Sequence, residues 1–168
     1  MSNNKNILIL NTGGTFNKVY NEIDGKLEVP RNNKAIENIL ESAKIINYNL
    51  KGLLYKDSLE INDNDRKELQ NVIEKSKYKK ILIIHGTDTM DKTAKYLSKH
   101  LNNKTVILTG AMVPFSIDSI EATSNFMLAL GALSMKKEDN IYIAMHGNIK
   151  QYTKIKKNRD LGVFECQK

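Results

Sequence analysis

The chain of 168 residues lacks most of the features that would mark a secreted, membrane-spanning or metal-dependent protein. It holds one cysteine, Cys166, so no disulfide can close within it. Its three histidines, His85, His100 and His146, stand far apart and share no ligand spacing with that cysteine, so neither a metal nor a cofactor is expected. With two prolines and no low-complexity tract, nothing reads as a linker. No apolar run approaches the ~20 residues needed to cross a bilayer. Met1-Ser2-Asn3-Asn4-Lys5-Asn6 leads straight into Ile7-Leu8-Ile9-Leu10, an apolar stretch too short for a secretory leader, which points to the cytoplasm. Also absent are a helix with one continuous basic face and aromatics spaced for base stacking. The net charge of +7 is therefore read as a lysine-rich surface rather than a nucleic-acid site.

What is present is a globular composition, 40% hydrophobic and 27% charged, on a chain long enough for one core and too short for two. Short apolar strands alternate with amphipathic helical patterns. Strands are expected at Asn6–Asn11, within 45–56 ending near Leu53-Leu54-Tyr55, at Ile81–Ile84, at Val106–Leu108 and at Ile141–Ala144. Their continuous apolar runs suit strands buried on both faces. A hairpin excursion over 16–30 turns at Asp24-Gly25. Ile36, Ile39, Leu40 and Ala43 predict a helix over 33–44. Leu69, Val72 and Ile73 line a second helix, capped by Asn62 or Asp63. Ala94, Leu97 and Leu101 line a third, and 119–135 forms a long fourth. The expected fold is α/β, one domain with a mainly parallel sheet and helices on both faces. From about residue 150 a charged, weakly patterned tail follows, with no apolar face to build a second domain.

The loops after these strands carry the chemistry: Thr12-Gly13-Gly14-Thr15, Asp57-Ser58, His85-Gly86-Thr87-Asp88-Thr89, Thr109-Gly110-Ala111-Met112 and His146-Gly147-Asn148. Open parallel sheets bind ligands outside the carboxyl ends of their strands, and each of these loops bears glycine, hydroxyl or both. The glycine pair after the first strand could offer backbone N–H groups to an acyl oxyanion or to a phosphate. Neither G-x-G-x-x-G nor G-x-x-x-x-G-K-[ST] is present, which lowers the nucleotide reading. One of Thr87, Asp88 and Thr89 is expected to cap the helix that follows.

Thr12-Gly13-Gly14-Thr15, His85-Gly86-Thr87-Asp88-Thr89-Met90 and Thr109-Gly110-Ala111-Met112-Val113-Pro114, in this order and spacing, resemble the bacterial-type L-asparaginases. The likeness covers nearly the whole chain but only the N-terminal domain of a two-domain family. The length, Asn17-Lys18-Val19-Tyr20 and the ending Lys157-Asn158-Arg159-Asp160-Leu161-Gly162 are similar to short, single-domain members. The resemblance implies Thr15 as nucleophile, Tyr20 as the group that activates it, and a second constellation of Thr87, Asp88 and Lys157. In it Asp88 takes the substrate's α-ammonium. Lys157, favoured over Lys154 and Lys156 by its place after the last strand, moves a proton or holds a water on Thr87. Ser58, with Asp57, matches the grip on the α-carboxylate, while Leu59 stands where many members have a polar residue. Gly14, Gly86 and Ala111 complete the implied substrate contacts. Glu121 and Asn125 fall where the family has an acid and an asparagine on the long helix. His85 is expected to orient its loop, and His146 has no assigned role.

The implied activity is hydrolysis of a small amino-acid amide, L-asparagine, through a threonyl acyl-enzyme, with weak affinity because the second domain's contacts are missing. Glutamine or an amide on aminoacyl-tRNA is the alternative substrate. A non-catalytic amino-acid-binding or assembly module is the alternative class. Self-association into a homo-oligomer is expected, to cover the edge where a second domain would pack.

Overall fold

The computed structural model describes residues 7–167, so Asn6, expected to open the first strand, lies outside the described residues. In chain order the elements are β1 (Ile7–Gly13), β2 (Val19–Asn21), β3 (Lys26–Glu28), α1 (Lys34–Ser42), β4 (Tyr48–Lys56), α2 (Asp63–Lys75) and β5 (Lys80–Ile84). They continue with α3 (Met90–His100), β6 (Thr105–Thr109), α4 (Ser119–Met135), β7 (Ile141–Met145), β8 (Asn148–Gln151), β9 (Ile155–Asn158) and β10 (Val163–Cys166). The main sheet runs β4-β1-β5-β6-β7-β8. Its first five strands are parallel, and β8 returns antiparallel to β7.

Successive side chains of a strand point to opposite faces, and both faces of this sheet are covered. Leu8, Leu10, Ile81, Ile83, Val106 and Leu108 pack with Leu69 and Ile73 of α2 and with Ala94 and Leu97 of α3. Ile9, Leu82, Ile84, Ile107 and Ala144 pack on the other face, against Ile36, Ile39 and Leu40 of α1 and Phe126, Ala129 and Leu133 of α4. The uninterrupted apolar runs of the sequence follow from that double burial. Among the described residues no helix is long and apolar enough to cross a membrane.

Local chemistry sets the helix starts. Asn62 caps α2: its side chain accepts the N–H groups of Asn64 and Asp65, and Asp65 reaches back to the Asn62 N–H. Asp118 caps α4 through the Ile120 N–H. The hairpin expected in 16–30 forms as β2 and β3, with Gly25 in the left-handed region at its turn.

The tail differs from its sequence reading. In place of a weakly patterned segment without an apolar face, residues 148–166 form three strands, and Ile155 and Phe164 are buried in the core beside Met145. Two inward side chains on short strands leave no periodic run to detect. The β9–β10 pairing sets Phe164 opposite Lys157 and Ile155 opposite Cys166. Ile155, Lys157 and Phe164 therefore share one face, while Lys154 and Lys156 are exposed. Alternation along one strand thus separates Lys157 from its lysine neighbours.

If the tail is part of the core, Phe164→Ala should lower stability by about 3 kcal/mol, the usual scale for emptying a buried aromatic site. Urea unfolding measures this, and an unchanged midpoint would show the hairpin to be peripheral.

Candidate active site

The site lies where β1 and β5 run side by side and the chain leaves them for opposite faces of the sheet, to α1 and to α3. Such a switch point opens a crevice between two loops. Here the loops meet backbone to backbone. Gly14 has φ +76°, and a Cβ on it would collide with the backbone of Gly86. A Cβ on Gly86 would in turn collide with Ser58. Only glycine permits both the backbone angle at Gly14 and these approaches. The loops ending β1, β4 and β5 are thereby pressed together, with Thr15 and Thr87 next to the glycines that meet and Ser58 touching one of them.

Buried amides hold the first loop. Asn11 and Asn17 exchange hydrogen bonds, Asn17 Nδ2 also donates to the Gly13 carbonyl, and Asn11 Nδ2 reaches Asn33 Oδ1 at 2.9 Å. The Gly13 N–H donates to Asn11 Oδ1 and the Gly14 N–H to the Lys56 carbonyl. This corrects the expectation that the glycine pair offers its N–H groups to an acyl oxyanion or to a phosphate, because both amides are already engaged within the fold. Thr12, the first threonine of the motif, is fully buried and donates to the Ile84 carbonyl at 2.8 Å, fastening β1 to β5. Thr15 and Ser58, by contrast, make no side-chain hydrogen bond among the described residues.

The second constellation is assembled across the fold. Lys157 Nζ donates to Thr87 Oγ1 and to Asp88 Oδ1, both at 2.8 Å, with its side chain only 14% exposed. Arg159, two residues on along β9's path and 63% exposed, adds a second cation: one guanidinium nitrogen donates to Asp88 Oδ1 at 2.8 Å, another to the Asp88 carbonyl at 2.9 Å. Sequence reasoning did not assign Arg159, which stands in the turn just past β9, two residues from Lys157. Asp57 pairs with Lys18 at 2.6 Å. Burial pushes the Asp57 carboxyl up, but the Lys18 and Leu59 hydrogen bonds and the charges of Lys18 and Lys157 outweigh it and hold the group below the usual carboxylate range.

Other expected residues fall less directly on the crevice. Tyr20 is 60% exposed on β2, its hydroxyl beside Gly25, and no hydrogen bond joins it to Thr15 among the described residues. Ala111 turns its methyl into the core against α4, leaving only its backbone for a ligand. Thr89 occupies the N-cap position of α3 without capping it. Its hydroxyl donates instead to the Ser58 carbonyl at 2.7 Å, correcting the expected side-chain cap.

A supporting network surrounds these groups. Arg66 Nε donates to Thr93 Oγ1, whose hydroxyl can then donate to His85 Nε2, leaving His85 Nδ1–H for the Gly86 carbonyl. One neutral tautomer satisfies the whole chain. Burial pushes the His85 pKa down to about 4, with the Arg66 charge adding to it against the pull of the Gly86 carbonyl and Asp91. His85 thus orients the loop. Glu121 accepts the N–H groups of Met112 and Val113, and Asn125 Nδ2 donates to the Gly110 carbonyl. His146, unassigned from sequence, bridges them to the tail: Nε2 meets Glu121 at 3.0 Å and Nδ1 accepts the Phe164 N–H at 3.2 Å. Among the described residues no group of three or more His, Cys, Asp or Glu side chains could hold a metal ion.

Residues 6–163 match the family model described as "Asparaginase, N-terminal". The chain is 29% identical to L-asparaginase of Thermococcus kodakarensis, over 96% of this chain and 50% of that protein. It is 31% identical to a glutamyl-tRNA(Gln) amidotransferase subunit of Methanococcus maripaludis, over 85% of this chain and 35% of that one. The chain therefore spans half or less of the curated relatives it matches. Among solved structures, the thermostable L-asparaginase from Thermococcus kodakarensis superimposes with a TM-score of 0.79 over 95% of this chain and 50% of that chain, at 29% identity. A probable cytoplasmic L-asparaginase from Campylobacter jejuni gives 0.75 at 22% identity, over 95% and 52%, a likeness of fold.

The depressed His85 pKa carries a pH signature. Below pH 6.5 the unfolded chain takes up a proton that the folded site refuses, so stability falls as pH drops and the loss levels off below the folded pKa of about 4. That window should remove about 3 kcal/mol. Urea unfolding at pH 7 and pH 4.5 should show this extra acid loss in the parent but not in His85→Gln; equal losses would refute it.

Proposed function

This chain belongs to the asparaginase family through the family's N-terminal domain, and on that premise we propose that it hydrolyses the side-chain amide of L-asparagine to L-aspartate and ammonia. The observation that supports this reading is the Lys157–Thr87–Asp88 contact, together with the meeting of Gly14, which precedes Thr15, with Gly86, which precedes Thr87. Thr15 Oγ attacks the amide carbonyl, the C–N bond breaks, and ammonia leaves carrying the former hydroxyl proton. Water then adds to the acyl carbon, its proton returns to Thr15 Oγ, and aspartate is released. Lys157, desolvated and bonded to Thr87 Oγ1, is placed to steer that water and move its proton. Tyr20 activates Thr15 when the β2–β3 hairpin folds over bound substrate. Ser58 and Asp57 hold the substrate's amino-acid end, and Gly14, Gly86 and the Ala111 backbone shape the pocket.

Asp57 and Asp88, the acidic groups at the candidate site, are already ion-paired within the chain, so a substrate has to compete for them, which weakens its binding. Ammonia release should saturate only near or above about 1 mM asparagine, the upper end of ordinary KM values. Thr15→Ala should cost roughly a thousandfold or more in kcat, as loss of a nucleophile does. Micromolar saturation would contradict the affinity reading. Undiminished release from Thr15→Ala would contradict the nucleophile, and no release by the parent would favour a binding or assembly module.

A second substrate reading rests on the likeness to the amidotransferase and on the net charge of +7: an amide carried on aminoacyl-tRNA. Salt-sensitive tRNA binding is its test. Self-association belongs to the same proposal. Leu59, Val113, Ile117, Ile120 and Leu161 are exposed apolar side chains whose burial against a second copy would be favourable. Light scattering should return at least a dimer, and a monodisperse monomer would refute it.

A further inference from the structure

α2 and α3 pack on the same face of the sheet, and residues of both line a groove of about 370 Å³. Arg66 of α2 is only 7% exposed, a cation almost wholly removed from water. Its Nε donates to Thr93 Oγ1 at 3.2 Å and its Nη1 to Asp63 Oδ1 at 2.9 Å. Nη2 makes no hydrogen bond among the described residues. A guanidinium fixed at two nitrogens with the third idle is prepared for an anion. Lys92, Lys95 and Lys99 of α3 line the same groove, exposed and without an ion pair among the described residues. We propose that this groove binds single-stranded nucleic acid, with phosphates on Arg66 and the three lysines and a base stacked on His100.

Two features decide which anion fits. The first is length. Lys92 and Lys99 stand about 10 Å apart along the helix, at roughly 1.5 Å per residue. A lone phosphate meets one or two of these cations, whereas a strand carrying a charge every few ångströms meets them all. Among the described residues that line the groove, Asp63 is the one acid, and it is engaged by Arg66. Asp91 lines the cavity beside Lys157 instead. The second feature is an aromatic surface. Tyr96 and His100 stack with ring centroids 4.4 Å apart and planes 25° apart. Tyr96 packs against the core, so exposed His100 is the ring turned outward. His100 Nδ1 donates to the Tyr96 carbonyl at 2.7 Å, which fixes that ring. Bases offer open faces for such stacking where a strand is unpaired. This corrects the sequence reading that no helix joins a basic face to aromatics. Buried Thr93, Ala94 and Leu97 interrupt the run in sequence, the helical turn brings its basic and aromatic members together, and Arg66 arrives from another helix. The groove shares none of the residues proposed for catalysis, so the inference stands apart from the hydrolase reading.

Fluorescence anisotropy of a labelled oligoadenylate of about eight residues, titrated with the full chain, tests this. The strand should bind, and more weakly as salt rises from about 50 to 200 mM. Lys92→Ala, Lys95→Ala and Lys99→Ala combined should weaken binding at least about tenfold. The same variant should flatten the slope of log affinity against log salt by about 2, at roughly 0.7 per phosphate contact. Arg31→Ala, Lys34→Ala and Lys137→Ala combined remove equal charge from exposed positions beside α1 and α4, on the other face of the sheet. That control should change affinity by less than about twofold. His100→Ala, which removes the stacking ring, should weaken binding at least about fivefold. All the substituted side chains are exposed, and matched melting curves verify that the variants are folded. No binding, an equal loss from the control set, indifference to His100→Ala, or tighter binding of a duplex of the same length would overturn the inference. Oligoadenylate carries no amide substrate, so ammonia release is a separate readout that bears on hydrolysis alone.

Discussion

Everything at the crevice depends on two stretches of backbone touching where no side chain fits. Gly14 abuts Gly86, and Gly86 abuts Ser58. The sheet order makes this contact possible, because β1 and β5 are neighbours whose chains depart to opposite faces. Glycine makes it close. A single methyl at Gly14 would force the loops apart by roughly the width of a side chain, and the residues that follow each glycine, Thr15 and Thr87, would no longer border one space. The threonines therefore owe their proximity to the absence of side chains beside them.

A second constraint is electrostatic. Lys157 is mostly removed from water, and a buried ammonium is costly unless paired. Asp88 and Thr87 supply that pairing, which offsets the cost without making the arrangement a strong source of stability. A lysine held this way by a hairpin anchored through Ile155 and Phe164 is more readily understood as chemistry than as scaffolding. His85 shows the opposite solution: fully buried, it stays neutral and uses both nitrogens on its own loop and on α3. The cost of burial is thus met in two ways, by pairing with Asp88 at Lys157 and by neutrality at His85.

The sequence was informative where structure is local. Strands buried on both faces wrote continuous apolar runs, and amphipathic helices wrote their period, so the five parallel strands and four helices were legible. Loop motifs at the strand ends supplied the candidate site residues, because parallel topology gathers those ends on one side. Long-range partners escaped. Nothing near Asn11 announces that it pairs with Asn17 and Asn33, and nothing near Gly13 and Gly14 reveals that their N–H groups are already bonded. The tail escaped for a related reason. Its core contribution is one residue on each of two short strands, and the partner of His146 lies eighteen positions away, at Phe164. Tyr20 marks a further limit, since its exposed place on the hairpin reflects a loop position that no local pattern encodes.

Hydroxyl groups crowd the strand ends, and composition alone cannot rank them. Their hydrogen bonds can. Thr12, Thr89 and Thr109 each donate to a main-chain carbonyl of another segment, at Ile84, Ser58 and Ala144, and Thr93 serves His85. A buried hydroxyl satisfied in this way is part of the frame, because breaking its bond to serve a ligand would leave an unpaired carbonyl. Thr87 differs: it accepts from Lys157, which leaves its own proton free to donate. Thr15 and Ser58 go further and make no side-chain hydrogen bond among the described residues. The division follows the satisfied and the unsatisfied, and it falls along the crevice. Thr15 follows Gly14 and Ser58 touches Gly86, so both adjoin the loop contact on which the candidate site depends.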